Sequence, residues 1–117
     1  MTGSGESPIG YCALAYRRDD GSSSPLEQDV ILIVTRSVED EICIGVHPDW
    51  RNVVKYQDHE LIQALFGDFR ERAELDPDGL LKQLSSLAVG HLVTYDAGLA
   101  LADRPELRVL FESFQRI

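Results

Sequence analysis

Residues 29–36 read DVILIVTR, a stretch that is rich in β-branched side chains and apolar at successive positions. β-Branched residues favour the extended conformation because their side chains fit a pleated surface. A strand with one face in water would alternate apolar and polar residues, and this stretch does not. It therefore predicts a strand that is buried on both faces.

Other apolar stretches extend the predicted sheet. Ile9–Arg17 (IGYCALAYR) is also apolar on both faces, and Glu41–Val46 (EICIGV) follows a short hairpin loop at Ser37–Asp40. His91–Tyr95 (HLVTY) predicts a fourth strand. Because the first three strands are joined by short links, we expect them to form an antiparallel meander.

Apolar residues recur at helical spacing in three later segments. The first predicts a helix over residues 58–75, with Asp58 as its N-cap. A second, short helix follows Asp76 and Pro77, where aspartate caps the helix and proline fits its first position. A third begins near Asp103, which precedes a glutamate at the spacing of a capping box.

The element order β-β-β-α-α-β-α indicates the α+β class: two layers, with the helices on one face of a mostly antiparallel sheet. We expect residues 1–8 to be a disordered N-terminus and residues 9–117 to form a single domain. The second face of the first two strands also needs a cover. We therefore predict a homodimer, with a second copy on that face, and keep a monomer with a deep pocket there as the alternative.

The chain is strongly acidic. Its 117 residues include 11 Lys and Arg against 20 Asp and Glu, so its net charge is −9. The charge is spread along the chain and repels phosphates, which argues against nucleic acid and anionic membranes as partners and favours a basic protein. The longest apolar run, Val30–Val34, is far shorter than the roughly 20 residues that span a bilayer.

The cysteines and the N-terminus point to the cytoplasm. The first residues lack the basic and apolar regions of a signal peptide. Cys12 and Cys43 lie in predicted strands, where a thiol behaves as a small buried apolar side chain. A disulfide between neighbouring strands is the alternative.

Sequence motifs for catalysis and for metal binding are absent. No glycine-rich phosphate loop, serine nucleophile elbow or closely spaced Cys/His pair occurs. The run His59-Glu60-Leu61-Ile62-Gln63 differs from a zinc protease motif by its last residue, and glutamine cannot replace the second imidazole ligand. We therefore expect no metal and no cofactor.

The segment His47–Trp50 is the best candidate for a functional site, because it follows a strand end and contains the only tryptophan. Trp50, with His47 and Asp49, is predicted to contact a partner. Alternatively, His47 acts as a base oriented by Asp49, or Trp50 folds back over the sheet edge.

These observations favour a non-catalytic protein-interaction or regulatory domain, acidic, cytoplasmic and homodimeric. Two alternatives stay open. The first is a small-molecule-binding domain with a pocket between the sheet and the helices. The second is an enzyme that uses His47 and Asp49, with His91 as a further candidate.

Overall fold

An antiparallel sheet forms the centre of the computed structural model, which describes residues 10–17, 26–37, 39 and 41–117. Its strands within these residues are β1 (Gly10–Tyr16), β2 (Val30–Arg36), β3 (Ile42–Val46), β4 (Ala88–Val89), β5 (Leu92–Gly98) and β6 (Gln115–Arg116). Their order across the sheet is β4-β5-β1-β2-β3-β6. The predicted meander of the first three strands is confirmed. The predicted N-terminal segment 1–8, and Ile9, lie outside the described residues.

The helices of the described residues are α1 (Trp50–Val53), α2 (His59–Leu75), α3 (Pro77–Leu84) and α4 (Pro105–Ser113). Short 3-10 turns precede β2, α2 and α4. The two helices predicted over residues 58–75 and after Pro77 are present, and the α+β class is confirmed.

β1 is buried on both faces, and each residue from Tyr11 to Tyr16 is at most 5% exposed. Its even-numbered residues pack in one apolar cluster with α2 and α3. Its odd-numbered residues pack in a second cluster, on the opposite face, with α4. The expectation of strands without a polar face therefore holds for the centre of the sheet.

α4 covers the face on which the sequence predicts a second copy of the chain. Leu107 is fully buried and Phe114 is 5% exposed, in one cluster with Ala13 and Ile33. Phe114, which follows α4, packs closely against β3, since a Cβ built at Gly45 would lie 3.1 Å from the Cβ of Phe114. The helices thus lie on both faces of the sheet and not on one, and an uncovered face no longer argues for a homodimer.

Two β-bulges change which side chains share a face. In β2, the register against β1 shifts by one residue, so Ile31 and Leu32 both join the cluster of α2 and α3. In β5, a similar shift adds one residue at Tyr95. Tyr95 and Asp96 therefore both lie on the α4 face, where Asp96 meets polar partners.

The two edges of the sheet are only partly covered. β4 pairs with Leu92 and Val93 alone, and β6 pairs with Gly45 and Val46 alone. Short edge strands of this kind are common, because long exposed edges invite pairing with other chains.

The predicted helix caps have different outcomes. Asp76 accepts a hydrogen bond from the Gly79 N–H at 3.0 Å, as expected. Asp58 precedes α2 but makes no cap hydrogen bond, because its carboxylate accepts the Tyr16 hydroxyl instead. The prediction for Asp103 is wrong: this residue ends a 3-10 turn, and α4 begins two residues later.

Replacing Gly67 by alanine should raise the free energy of unfolding by about 1 kcal/mol, because alanine loses less backbone entropy in a helix. Gly67 lies on the exposed side of α2, and a Cβ there would have no neighbouring atom within 4 Å. Urea unfolding measures the change. As a control, Gly90→Ala should lower stability, because Gly90 has a φ of +59°. Destabilisation by Gly67→Ala would show that this side of α2 is covered.

Candidate functional site

Trp50 lies mainly inside the protein. Its side chain is 7% exposed and contacts Phe66 and His59 edge to face, with ring centroids 5.2 and 5.4 Å apart. The Arg51 guanidinium lies over the indole ring, 4.6 Å from its centroid. Trp50 therefore offers little exposed surface to a partner.

His47 and Asp49 are in contact, but through the backbone. The Asp49 N–H donates to Nδ1 of His47 at 2.9 Å, and the imidazole ring lies 5.5 Å from the ring of Phe114. The His47 N–H also bonds to the Ile31 carbonyl at 2.8 Å. This arrangement fixes the chain where β3 ends. Asp49 thus contacts the imidazole through its backbone N–H, and not through the carboxylate that would orient a catalytic base.

A polar cluster on the α4 face joins β1, β5 and the start of α4. The Tyr11 hydroxyl donates to Asp96 at 2.7 Å, and the Arg104 guanidinium pairs with the same carboxylate. Burial, followed by the hydrogen bond to Asp96, raises the pKa of Tyr11 to about 12. Gly98 makes room for the phenol, since a Cβ there would lie 2.9 Å from the Tyr11 ring.

Tyr16 makes a matching pair on the opposite face. Its hydroxyl donates to Asp58, and burial together with this hydrogen bond raises the pKa of Tyr16 to about 12.

Burial also raises the pKa of the Cys12 thiol to about 11, and its Sγ lies 3.5 Å from the Leu81 carbonyl oxygen. All three shifts favour the neutral form, whereas nucleophiles and bases that work near neutral pH need their pKa values closer to 7.

The free energy of unfolding should fall as the pH rises from about 10 to about 12, because the folded protein holds the phenol protons more tightly than the unfolded chain does. In Tyr11→Phe this fall should be smaller, and stability at neutral pH should drop by about 1 kcal/mol for the lost hydrogen bond. Urea unfolding across this pH range measures both. Tyr56→Phe, at a side chain that is 87% exposed, is the matched control. An unchanged pH dependence in Tyr11→Phe would contradict the geometry of the cluster.

The second half of β5 has no strand on its outer side within the described residues. The Thr94 N–H points outward, where it donates to a loop carbonyl at 3.0 Å. The extra residue at Tyr95 shifts the alternation by one, so Ala97 turns its backbone groups outward. Ala97 is exposed, and Leu99, which directly follows the strand, is 69% exposed. We call Tyr95–Leu99 the free edge.

An apolar groove opens beside the free edge, between α3 and the sheet. Its volume is about 320 Å³, and its walls include Cys12 and Leu81 together with Ala97 and Leu99. Lys82 is the only charged residue among the described residues that line it. We call this space the α3 groove. It combines an apolar wall with an adjacent strand edge.

Sequence reasoning missed both features. The residues Asp96-Ala97-Gly98 are typical of a turn and predict that the fourth strand ends at Tyr95. The structure instead continues β5 through Gly98. The sequence signal is Leu99–Ala102, whose pattern is ambiguous between a short strand and the start of a helix.

Comparison with protein-family models, curated proteins and solved structures finds no significant match to this chain. In the part of the chain that the structure describes, no helix is both long and apolar enough to span a bilayer. The same residues contain no group of three His, Cys, Asp or Glu side chains placed to hold a metal ion.

Proposed function

We propose that this protein is a non-catalytic interaction domain that binds an extended segment of another protein along the free edge. One observation carries the proposal: β5 continues beyond the end of its pairing with β4, with outward backbone groups at Ala97. Such an edge offers N–H donors and C=O acceptors to an incoming strand, which gains affinity from main-chain hydrogen bonds.

The free edge lacks the features that usually prevent strand addition. Edge strands are commonly protected by lysine, by proline or by charged side chains that an added strand would bury. Ala97, Gly98 and Leu99 carry no charge, and the Asp96 carboxylate is held toward the α4 face by Tyr11 and Arg104. These side chains leave the backbone groups accessible to a partner.

Charge favours a different protein over a second copy as that partner. The net charge of −9 attracts a basic protein and speeds the encounter, whereas two copies repel each other. A homodimer is the second candidate, because an antiparallel strand edge can pair with itself about a twofold axis. Both candidates use the same outward groups of Ala97.

The α3 groove supports the small-molecule alternative as well. At about 320 Å³ it lies near the lower end of the range of ligand pockets, roughly 300–1,000 Å³. However, Ala97 and Leu99 form part of its wall, so a strand bound at the free edge would cover it. We therefore assign the groove to the same interaction.

We propose the cytoplasm as the compartment. Cys12 and Cys43 are both free thiols, one buried and one exposed. An exposed unpaired thiol is typical of a reducing compartment, where disulfides rarely persist.

Ala97→Lys tests the proposal, with Ala64→Lys as the matched control. Both alanines are exposed and both variants change the charge equally, but Ala64 lies on α2, away from the free edge. The probe is an immobilised library of extended peptides of about seven residues, long enough to follow the edge. Ala97→Lys should lower affinity for the selected peptides at least about tenfold, because lysine at an edge opposes strand addition. Ala64→Lys should bind as the wild type does.

Three outcomes would contradict the proposal. The first is that the library contains no binder for the wild-type protein. The second is equal binding by Ala97→Lys and the wild type. The third is a dimer, with a mass of twice 13.1 kDa, that Ala97→Lys converts to a monomer. In that case a second copy would occupy the free edge.

A further inference from the structure

We infer that Asp96 controls whether the free edge is open. Tyr11 and Arg104 hold its carboxylate on the α4 face, and these contacts keep the β-bulge at Tyr95 that turns the backbone groups of Ala97 outward. When the carboxylate is released, the second half of β5 slips by one residue and the edge closes. The inference rests on the proposed strand addition and specifies how that site is regulated.

Two registers of β5 differ by the extra residue at Tyr95. In the bulged register, which the structure contains, Ala97 lies opposite Cys12. Without the bulge, the residues beyond Thr94 would move by one position, and Asp96 would lie opposite Cys12 in a slipped register. A slip of one residue turns each side chain to the other face and each backbone group to the other edge. Asp96 would then carry the outward groups, and Ala97 would bond to β1.

The bulged register gives the Asp96 carboxylate its partners. On the α4 face it accepts the Tyr11 hydroxyl at 2.7 Å and pairs with the Arg104 guanidinium. In the slipped register the carboxylate would lie on the opposite face, beside Cys12 and the apolar wall of the α3 groove. Moving a charge from its partners toward apolar side chains is costly. The polar cluster therefore favours the bulged register.

Gly98 connects the Tyr11 ring to the same control. In the bulged register Gly98 lies opposite Tyr11, and a Cβ there would lie 2.9 Å from the phenol. In the slipped register Ala97 would occupy this position and place a Cβ there. The nearest atoms belong to the far end of the Tyr11 side chain, which the hydrogen bond to Asp96 holds in place. Release of Asp96 therefore removes both obstacles to the slip.

Arg104 links the register to α4, because it directly precedes this helix. Leu99 and Ala100 join β5 to the 3-10 turn at Leu101–Asp103, and this short link takes up the one-residue change. An added strand pairs with the bulged register alone, so strand binding and the contact between Arg104 and Asp96 stabilise each other. The affinity for a strand falls with the fraction of molecules in the bulged register.

Asp96→Val tests the inference, with Asp96→Asn as the conservative variant. Valine cannot accept the Tyr11 hydroxyl and suits the apolar α3 side, whereas the asparagine carbonyl keeps this hydrogen bond. Hydrogen exchange, followed residue by residue, is the measurement. Asp96→Val should slow exchange of the Ala97 amide at least about tenfold and speed exchange at positions 96 and 98 at least about tenfold, because the alternation reverses. Asp96→Asn should leave the Ala97 amide fast.

Arg104→Gln, with Arg108→Gln as control, tests the ion pair in a chain that keeps the Tyr11 hydrogen bond. Both variants remove one positive charge, and Arg108 is an exposed residue of α4. In Arg104→Gln the amides of Asp96 and Gly98 should exchange at least about threefold faster, because a larger fraction of molecules occupies the slipped register. Arg108→Gln should exchange as the wild type does.

The outcomes separate this inference from the proposed function. Faster exchange at positions 96 and 98 of Asp96→Val, with the Ala97 amide still fast, would indicate loosening without a slip and overturn the inference. If Asp96→Val does not fold, unchanged exchange at Asp96 and Gly98 in Arg104→Gln would overturn it. Neither result affects strand addition. A slip in Asp96→Val that leaves the affinity for the library-selected peptides unchanged would instead overturn strand addition at Ala97 and leave the register control standing.

Discussion

β1 and β2 need cover on both faces, because almost every residue in them is apolar. Burial of each large apolar side chain contributes about 1.5–3 kcal/mol relative to exposure in water, so an open face on these central strands would be costly. α2 and α3 cover one face, while α4 and Phe114 cover the other. The last helix of the chain is therefore as necessary to this sheet as α2 and α3 are.

Because helices occupy both faces, the edges of the sheet are the parts of its backbone that the described residues leave open. β6 and β4 each cover a short length of one edge. Asp96 connects the free edge with the cover of the second face. It belongs to β5, and its contacts with Tyr11 and Arg104 hold the start of α4 against the sheet. The strand that offers the free edge is thus fixed by the same cluster that fixes the cover of the second face.

The sequence predicts the strands and the long helix well, because the apolar pattern is strong there. It indicates that the second face of β2 is buried, but the pattern contains no information about which segment buries it. Asp58 illustrates a second limit: it looks like a helix cap, and only the fold reveals Tyr16, 42 residues earlier, as its partner. The bulge at Tyr95 is a third limit, because one added residue changes which residues of the free edge turn their backbone groups outward. The same partner-contact hypothesis now rests on different residues, because Trp50 lies in the core and Ala97 lies at the surface.

Hydrogen exchange of the backbone amides, followed residue by residue at several protein concentrations, tests most directly whether the chain covers its own sheet and leaves β5 open. The amides of β1 should exchange only through global unfolding, at a rate independent of concentration. The Ala97 amide, which points away from β1, should exchange at least about 100-fold faster, because no described residue accepts its hydrogen bond. A slowly exchanging Ala97 amide whose protection increases with concentration would contradict the account, since a second copy would then occupy the edge.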